Sequence, residues 1–134
     1  RLSIDFLTPE DIRELHQRND RLRQALEKND MKEYSRLNVE FHLRLYQNMP
    51  QRELYGMIQE LWKKYSITKT VFSVAPTRME QSIDEHEELL RLIVQRDYDQ
   101  VERLMRAHKM RAGVALVQQI EQKEKEQEAE VAFV

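Results

Sequence analysis

Three histidines of this 134-residue chain each lie among apolar residues at helical spacing. They are His42, His86 and His108, and Asn38 precedes the first of them by four residues, which is about one helical turn. If three helices each turn one imidazole inward, the rings could share one divalent metal, with an amide oxygen from Asn38. Three protein nitrogens would leave coordination positions open to water or a ligand. Among the metals that imidazole binds, we expect zinc, with nickel or another transition metal as alternatives.

A shared metal competes with a simpler explanation of these histidines. A buried imidazole without a hydrogen-bond partner costs about 1–3 kcal/mol, and one metal would remove that cost for all three rings. A single histidine on an apolar face, however, is usually a hydrogen-bonded core residue. Histidines on three helices are also less specific than a compact His-Glu-x-x-His motif, so the spacing alone leaves both explanations open. His16, beside Gln17 and Arg18, is expected on the surface.

The composition favours one mostly helical domain with charged outer faces. Charged residues make up 34% of the chain and hydrophobic residues 40%, with only two glycines and three prolines. Cysteine is absent, which excludes disulfides, thiolate ligands and a cysteine nucleophile and is consistent with the cytoplasm. The net charge is −2 and no basic stripe indicates direct nucleic-acid binding. No apolar run reaches membrane length, so no membrane partner is expected.

Capping signals and apolar periodicity predict an all-α antiparallel bundle of about five to six helices. The predicted helices are 9–28 after the cap Thr8, 31–48 after the cap Asp30, 51–72, a fourth that starts near Thr77 or Ser82, and a fifth after the cap Asp97. Pro76 is expected in a loop. The sequence beyond Gln118 is rich in Gln, Glu and Lys and is expected to form a solvated, fraying helix.

An ordered set of motifs in this chain resembles a known family. The motifs are Asn38-x-x-Phe41-His42, Asn48 and Leu54, Glu85-His86-x-x-Leu89, Arg96-Asp97 and Met105-x-x-His108. Together they resemble the C-terminal ligand-sensing (FCD) domain of FadR-type GntR-family bacterial transcription regulators, over about residues 8–112. The resemblance implies an all-α bundle that forms a homodimer and follows an N-terminal winged helix-turn-helix domain, through which the protein binds DNA.

The same resemblance implies a site and a class of effector. Many members hold a divalent metal with one Asp and three histidines, and the matching residues here are Asn38, His42, His86 and His108. Effectors in the family are often small organic acids, whose carboxylate can fill the open metal positions. Asn38 stands where Asp is commoner, and a neutral amide should weaken metal affinity and strengthen the attraction of an anionic effector.

The chain departs from the family pattern at its start. The winged helix-turn-helix domain is absent from this chain, and so is most of the first helix of the sensing domain, of which Arg1–Ser3 is expected to be the end. Arg78 could reach an effector carboxylate. Arg44 is expected to be a solvated surface residue that points away from His42. Tyr46, Trp62 and Tyr65 could line a cavity, although helical spacing more often indicates core residues.

The sequence therefore predicts that residues 1–134 are a single effector-binding and dimerisation domain, in the cytoplasm, and not an enzyme. Two alternatives stay open. One is a metal-dependent helical-bundle enzyme, which would need a general base such as Glu40, Glu85 or Glu87. Glu40 and Glu85 lie within two residues of ligand positions and are expected to point elsewhere. The other alternative is a helical dimerisation module with no site.

Overall fold

The first helix begins at a capping box that the sequence supplies in full. The structure, a computed structural model, describes residues 1–65 and 76–133, without the side chains of residues 64 and 65. Helix α1 (Pro9–Glu27) starts after Thr8, whose hydroxyl accepts from the Asp11 N–H at 3.2 Å. The Asp11 carboxylate accepts in return from the Thr8 N–H at 2.7 Å. A 3-10 turn, Ile4–Phe6, precedes the helix, and residues 2 and 3 form a turn before it.

Two connections of the bundle have the same local structure. Asn29 follows α1 and has a φ of 54°, and Asp30 then caps α2 (Met31–Tyr46) by accepting from the Glu33 N–H. Arg96 follows α4 (Pro76–Val94) with a φ of 56°, and Asp97 caps α5 (Tyr98–Ala132) in the same way. A left-handed residue followed at once by an N-cap reverses the chain sharply. Consecutive helices therefore pack against each other with short connections.

The described residues contain five helices and no strand, which confirms the all-α prediction. Helix α3 spans Arg52–Tyr65 and contacts α2, while α1 contacts α2 and α4, and α4 contacts α5. The predicted continuation of the third helix over 66–72 lies outside the described residues. Of the two predicted starts of the fourth helix, the one near Thr77 is right to within one residue, and the one at Ser82 is wrong because Ser82 lies buried inside the helix. Pro76, which was expected in a loop, is the first residue of the helix, a position that suits proline.

The last helix continues far beyond the part that packs in the bundle. Helix α5 is a single helix of 35 residues, and the side chains of 121–132 are all exposed. The helix is therefore solvated from residue 121 on, whereas Gln119 is buried, contrary to the expectation for the sequence beyond Gln118. No helix in the described part of the chain is both long and apolar enough to cross a membrane.

Two apolar clusters form the core and leave a polar layer between them. The first consists of Ile4, Leu15, Phe41, Leu45, Leu89, Leu90, Leu92, Ile93 and Val101. The second consists of Leu22, Ala25, Tyr34, Leu37, Met79 and Ile83. Where α1, α2 and α4 pass from one cluster to the other, they carry Asn19, Asn38 and His86, all of them buried. The candidate site therefore lies in the middle of the core and is held by apolar packing above and below.

Candidate metal centre

Imidazoles from α2, α4 and α5 meet inside the bundle. One ring nitrogen from each of His42, His86 and His108 lies within 4.8 Å of those of the other two. The ring centroids of His86 are 5.0 Å from those of both His42 and His108, and the remaining pair is 5.2 Å apart. The three residues are only 1%, 1% and 5% exposed. The structure thus brings together all three histidines that the sequence singled out.

The orientation of His86 is set by Asn19, a residue of α1. The Asn19 amide nitrogen donates to the Ile83 carbonyl at 3.1 Å and to the Glu87 carboxylate at 3.2 Å. Its Oδ1 is therefore the acceptor, and it lies 3.2 Å from His86 Nδ1. Nδ1 must then carry the proton of the neutral ring, and Nε2 keeps its lone pair. His86 Nε2 is buried and has no hydrogen-bond partner.

His108 is oriented by a carboxylate instead of an amide. Glu85 Oε2 lies 2.5 Å from His108 Nδ1, and Arg78 and Arg111 bind the same carboxylate at 3.2 and 2.7 Å. A carboxylate on one ring nitrogen leaves the other nitrogen to bind a metal and holds the ring in place. The expectation that Glu85 points away from the site was wrong, because it faces a histidine of another helix. Glu40 does point outward, with its side chain 40% exposed.

His42 supplies the third ring. Its Nε2 lies 3.4 Å from His108 Nε2, and Trp62 of α3 stacks on its face with centroids 5.6 Å apart. His42 Nδ1 is buried without a hydrogen-bond partner. The same holds for Oδ1 of Asn38, which lies one turn earlier on α2 and is 3% exposed. The polar layer therefore contains buried nitrogen and oxygen atoms that form no hydrogen bond with the described part of the protein.

The electrostatics of the layer keep the imidazoles neutral. Burial lowers the pKa of His42 and of His86 well below 6.5, and the charge of Lys109 acts in the same direction. Burial also lowers the pKa of His108 to about 4, against the opposing effect of Glu85. For Glu85, burial favours a higher pKa, but the hydrogen bond from His108 and the charge of Arg78 outweigh it, so its pKa is lowered. Neutral imidazoles have the lone pairs that metal binding requires.

This set of donors fits a divalent transition metal. Two nitrogens that share a tetrahedral zinc at about 2.1 Å are about 3.4 Å apart, and the Nε2 atoms of His42 and His108 are separated by 3.4 Å. The lone pair of His86 Nε2 and the amide oxygen of Asn38 are the two further buried donors in the layer. Each of the two oriented rings has a hydrogen-bonding partner on its other nitrogen, as metal-binding histidines usually do.

Arg78 lies at the edge of the layer with part of its guanidinium unpaired. Its side chain is 12% exposed, and Nη2 donates to Glu85 and, at 3.4 Å, to the carbonyl of His108. Its Nε and Nη1 are buried and have no hydrogen-bond partner. Buried donors of a charged group are costly when unpaired, so an incoming anion would be favoured here.

Arg44 has a structural role that the sequence analysis missed. It turns away from His42, as expected, but it is not a solvated surface residue. Its side chain is 15% exposed and binds the carboxylates of Asp11 and Glu14 on α1. The expectation failed because a residue on the outer side of one helix can face a neighbouring helix and not solvent. Arg44 joins α1 to α2 and is not part of the polar layer.

Beside the imidazoles lies an apolar cleft between α3 and α5, with a volume of about 480 Å³. Tyr46 and Trp62 line it, which agrees with the expectation that they line a cavity and not with the alternative that they are core residues. The side chain of Tyr65 lies outside the described residues. Lys109 is the one cation among the described residues that line it, with Nζ 4.8 Å from the centroid of the Trp62 ring. Burial lowers the pKa of Lys109 to about 8.

Sequence reasoning overlooked Asn19 and Lys109, although a signal for each was present. Asn19 lies between Leu15 and Leu22 on the apolar stripe of α1, where a polar residue interrupts the pattern. Lys109 likewise interrupts the stripe of α5, three residues before Ala112. A polar residue inside an apolar stripe indicates either a hydrogen-bonded core position or a site. Both residues contact or adjoin the imidazole layer.

Comparisons with known proteins identify relatives of this fold. Residues 1–112 match the family model described as the FCD domain. The HTH-type transcriptional regulator McbR of Escherichia coli (strain K12) is 29% identical over 98 residues, which cover 72% of this chain and 44% of that protein. The solved structure of E. coli McbR/YncC superposes with a TM-score of 0.79 and 26% identity, covering 88% of this chain and 60% of that one. The chain therefore spans less than two thirds of either relative.

Proposed function

We propose, because the chain belongs to the FCD domain family of GntR-type transcription regulators, that residues 1–134 sense a small carboxylate at a divalent metal. The observation that carries this proposal is the convergence of three neutral imidazoles in a buried layer. We assign the metal to Asn38, His42, His86 and His108, with zinc first and nickel or another transition metal as alternatives. The bound metal would attract carboxylate oxygens as a Lewis acid.

Each residue around the layer has a part in this proposal. Asn19 and Glu85 hold the rings of His86 and His108 so that their Nε2 lone pairs stay available. Asn38 is neutral and adds no negative charge, so the anionic effector is attracted more strongly than it would be with an Asp at this position. The unpaired nitrogens of Arg78 supply further donors for the effector carboxylate.

In the whole protein this domain would act on a DNA-binding domain. We propose a cytoplasmic homodimer in which an N-terminal winged helix-turn-helix domain binds operator DNA. An effector that binds one arrangement of the domains more tightly than another shifts their populations and so changes DNA affinity. The exposed apolar residues Met110, Val114 and Val117 on α5 are available for contacts between subunits.

The arrangement of the acidic residues favours a sensor over a metal-dependent enzyme. An enzyme of this kind would need a carboxylate that is free to take a proton near the metal. Among the described residues, Glu85 is the acidic residue that contacts one of the three imidazoles, and Arg78 and Arg111 hold it as an ion while it orients His108. Glu87 binds Asn19 and His16 on the side of α4 that faces α1.

Calorimetric titration tests the proposal directly. The chain, first freed of metal with a chelator, is titrated with zinc and nickel, and the loaded protein is then titrated with a panel of hydroxy- and keto-acids. We expect one metal per chain and acid binding that disappears when the metal is removed. The variant His86→Phe should lose the metal, whereas the matched variant His16→Gln, on the partly exposed side of α1, should keep it. Failure of every acid to bind the loaded protein would contradict the sensor function.

A further inference from the structure

The apolar cleft beside the imidazole layer has the properties of a ligand pocket. Its volume of about 480 Å³ lies within the range of about 300–1,000 Å³ that small-molecule sites occupy. The residues that line it share an apolar or aromatic character, apart from one lysine: Tyr46, Ile58, Leu61, Trp62, Lys109, Ala112, Gly113 and Leu116. The cleft can therefore take a body that is largely hydrocarbon.

The cleft adjoins the layer that we assign to the metal, with the Trp62 ring between the cleft and His42. Trp62 forms part of its wall and also stacks on the ring of His42. Lys109, another part of the wall, is the next residue after His108. For a molecule bound with its acid group at the imidazoles, the adjoining space for its remaining atoms is therefore this cleft between α3 and α5.

The charge of the cleft is also one-sided. Among the described residues that line it, Lys109 is the one cation, and none is an Asp or a Glu. In the described part of the chain, Lys109 Nζ has the face of Trp62 as its contact and no carboxylate within ion-pair distance. A cation in an apolar wall with no acidic neighbour favours one negative charge close by, and it disfavours a second charge deeper in the cleft.

We infer that the effector is a monocarboxylic acid with an apolar body, and that the cleft between α3 and α5 holds this body. The inference rests on the proposed function and adds the chemical class of the ligand to it. The carboxylate lies at the imidazole layer near Lys109, and the hydrocarbon part packs against Trp62 and Leu116. At about 30 Å³ per non-hydrogen atom, as in liquid water, the cleft takes a body of at most about sixteen such atoms.

A homologous series of acids tests this class. Acetate, butyrate, hexanoate and octanoate are titrated into the metal-loaded chain, with succinate and adipate as dicarboxylates and hexan-1-ol as the uncharged analogue. Trp62 is the only tryptophan of the chain, so its fluorescence reports directly on the cleft. We expect Kd to fall about fourfold for each methylene that becomes buried. Adipate and hexanol should both bind more weakly than hexanoate.

The two glycines of the chain provide a matched pair of variants. A Cβ atom at either Gly56 or Gly113 would meet no heavy atom within 4 Å beyond its chain neighbours and its own helix backbone, so neither position is closed to a side chain at Cβ. Gly113 lines the cleft and Gly56 does not. Gly113→Leu should therefore abolish the gain from acetate to octanoate while acetate binding persists, and Gly56→Leu should leave the whole series unchanged. Thermal unfolding checks that both variants are folded.

The outcomes separate this inference from the proposed function. If short acids bind the metal-loaded chain but Kd does not change with chain length, or adipate binds as tightly as hexanoate, the inference is wrong and the sensor function stands. If no acid binds at all, both are wrong. If the chain-length gain persists after chelation, the cleft is supported and the metal-dependent function is contradicted. Lys109→Gln should bring the Kd values of hexanoate and hexanol closer together, and an unchanged ratio would contradict the role of Lys109.

Discussion

The orientation of His86 by Asn19 leads to a prediction that joins folding to metal binding. In the variant Asn19→Leu, a side chain of similar shape replaces the amide in the middle of α1. The change removes the acceptor of His86 Nδ1 and the two donors that bind the Ile83 carbonyl and Glu87. Because His86 is 1% exposed, water does not replace the lost acceptor. The ring is then free to turn or to change its tautomer, and its Nε2 lone pair is no longer fixed.

Two magnitudes follow from these contacts. Three hydrogen bonds, two of them buried and the one to Glu87 partly buried, contribute about 1 kcal/mol each at most, so the free energy of unfolding without metal is predicted to fall by about 2–3 kcal/mol. Loss of an orienting partner typically weakens metal binding by about 10- to 100-fold. Removing both polar partners should cost less than removing one. The double variant Asn19→Leu/His86→Phe is therefore expected to be more stable than Asn19→Leu alone.

Urea unfolding in the presence of a chelator measures the first effect, and competition with a chromophoric chelator measures the second. His16→Gln is the control, because His16 lies one turn earlier on α1 and also contacts Glu87, but its side chain is 42% exposed. We expect the control to change the unfolding free energy by less than about 0.5 kcal/mol. If Asn19→Leu binds zinc within threefold of the affinity of the unchanged chain, Asn19 does not set the orientation or the tautomer of His86.

Three further predictions concern the same layer. Asn38→Asp should raise zinc affinity by about tenfold or more, because it adds a negative charge beside the cation, and it should destabilise the chelated protein. Competition with a chromophoric chelator measures the affinity, and urea unfolding measures the stability. In chelated protein the free energy of unfolding should fall by about 3 kcal/mol from pH 6.5 to 4 through His108 alone. The unfolded imidazole gains its proton near pH 6.5 and the folded one only near 4, so acid favours unfolding. Glu85→Gln should weaken zinc binding by about tenfold and lower stability by about 3 kcal/mol, because Arg78 loses its carboxylate.

For each of these three predictions, one outcome would contradict the role given to the residue. Equal zinc affinity of Asn38→Asp and the unchanged chain would place residue 38 outside the metal site. A His108→Asn variant should lose its part of the acid dependence, and an unaltered slope would show that other groups produce it. For Glu85→Gln, unchanged zinc binding together with reduced stability would assign Glu85 a structural role only.

The helices and the three histidines were predictable because their signals are local. Thr8, Asp30 and Asp97 cap helices through residues three positions ahead, and such patterns can be read along the chain. His42 and His108 lie on apolar stripes, which fixes the side of the helix that faces the core. These local signals are enough for the fold class and for the side that each ring faces, whereas the shared site followed only with the resemblance to the FCD domain.

The partners of the histidines were not predictable, because they depend on how neighbouring helices are rotated against each other. Glu85 adjoins His86 in sequence and yet binds His108, which lies 23 residues further along the chain. Asn19 reaches His86 across 67 residues. Periodicity shows that a side chain faces inward, but the identity of its contact follows only from the packing of two helices.

The ion pairs of Arg44 give the helix of His42 a second attachment. Arg44 binds Asp11 at the start of α1, and Asn48, just past the end of α2, donates to Asp11 at 2.7 Å and to the Phe6 carbonyl at 3.0 Å. A helix of this length behaves as a stiff rod, so its two ends cannot shift independently. Any tilt of α2 is thereby passed to Phe6 in the 3-10 turn and to Asp11 in the first turn of α1.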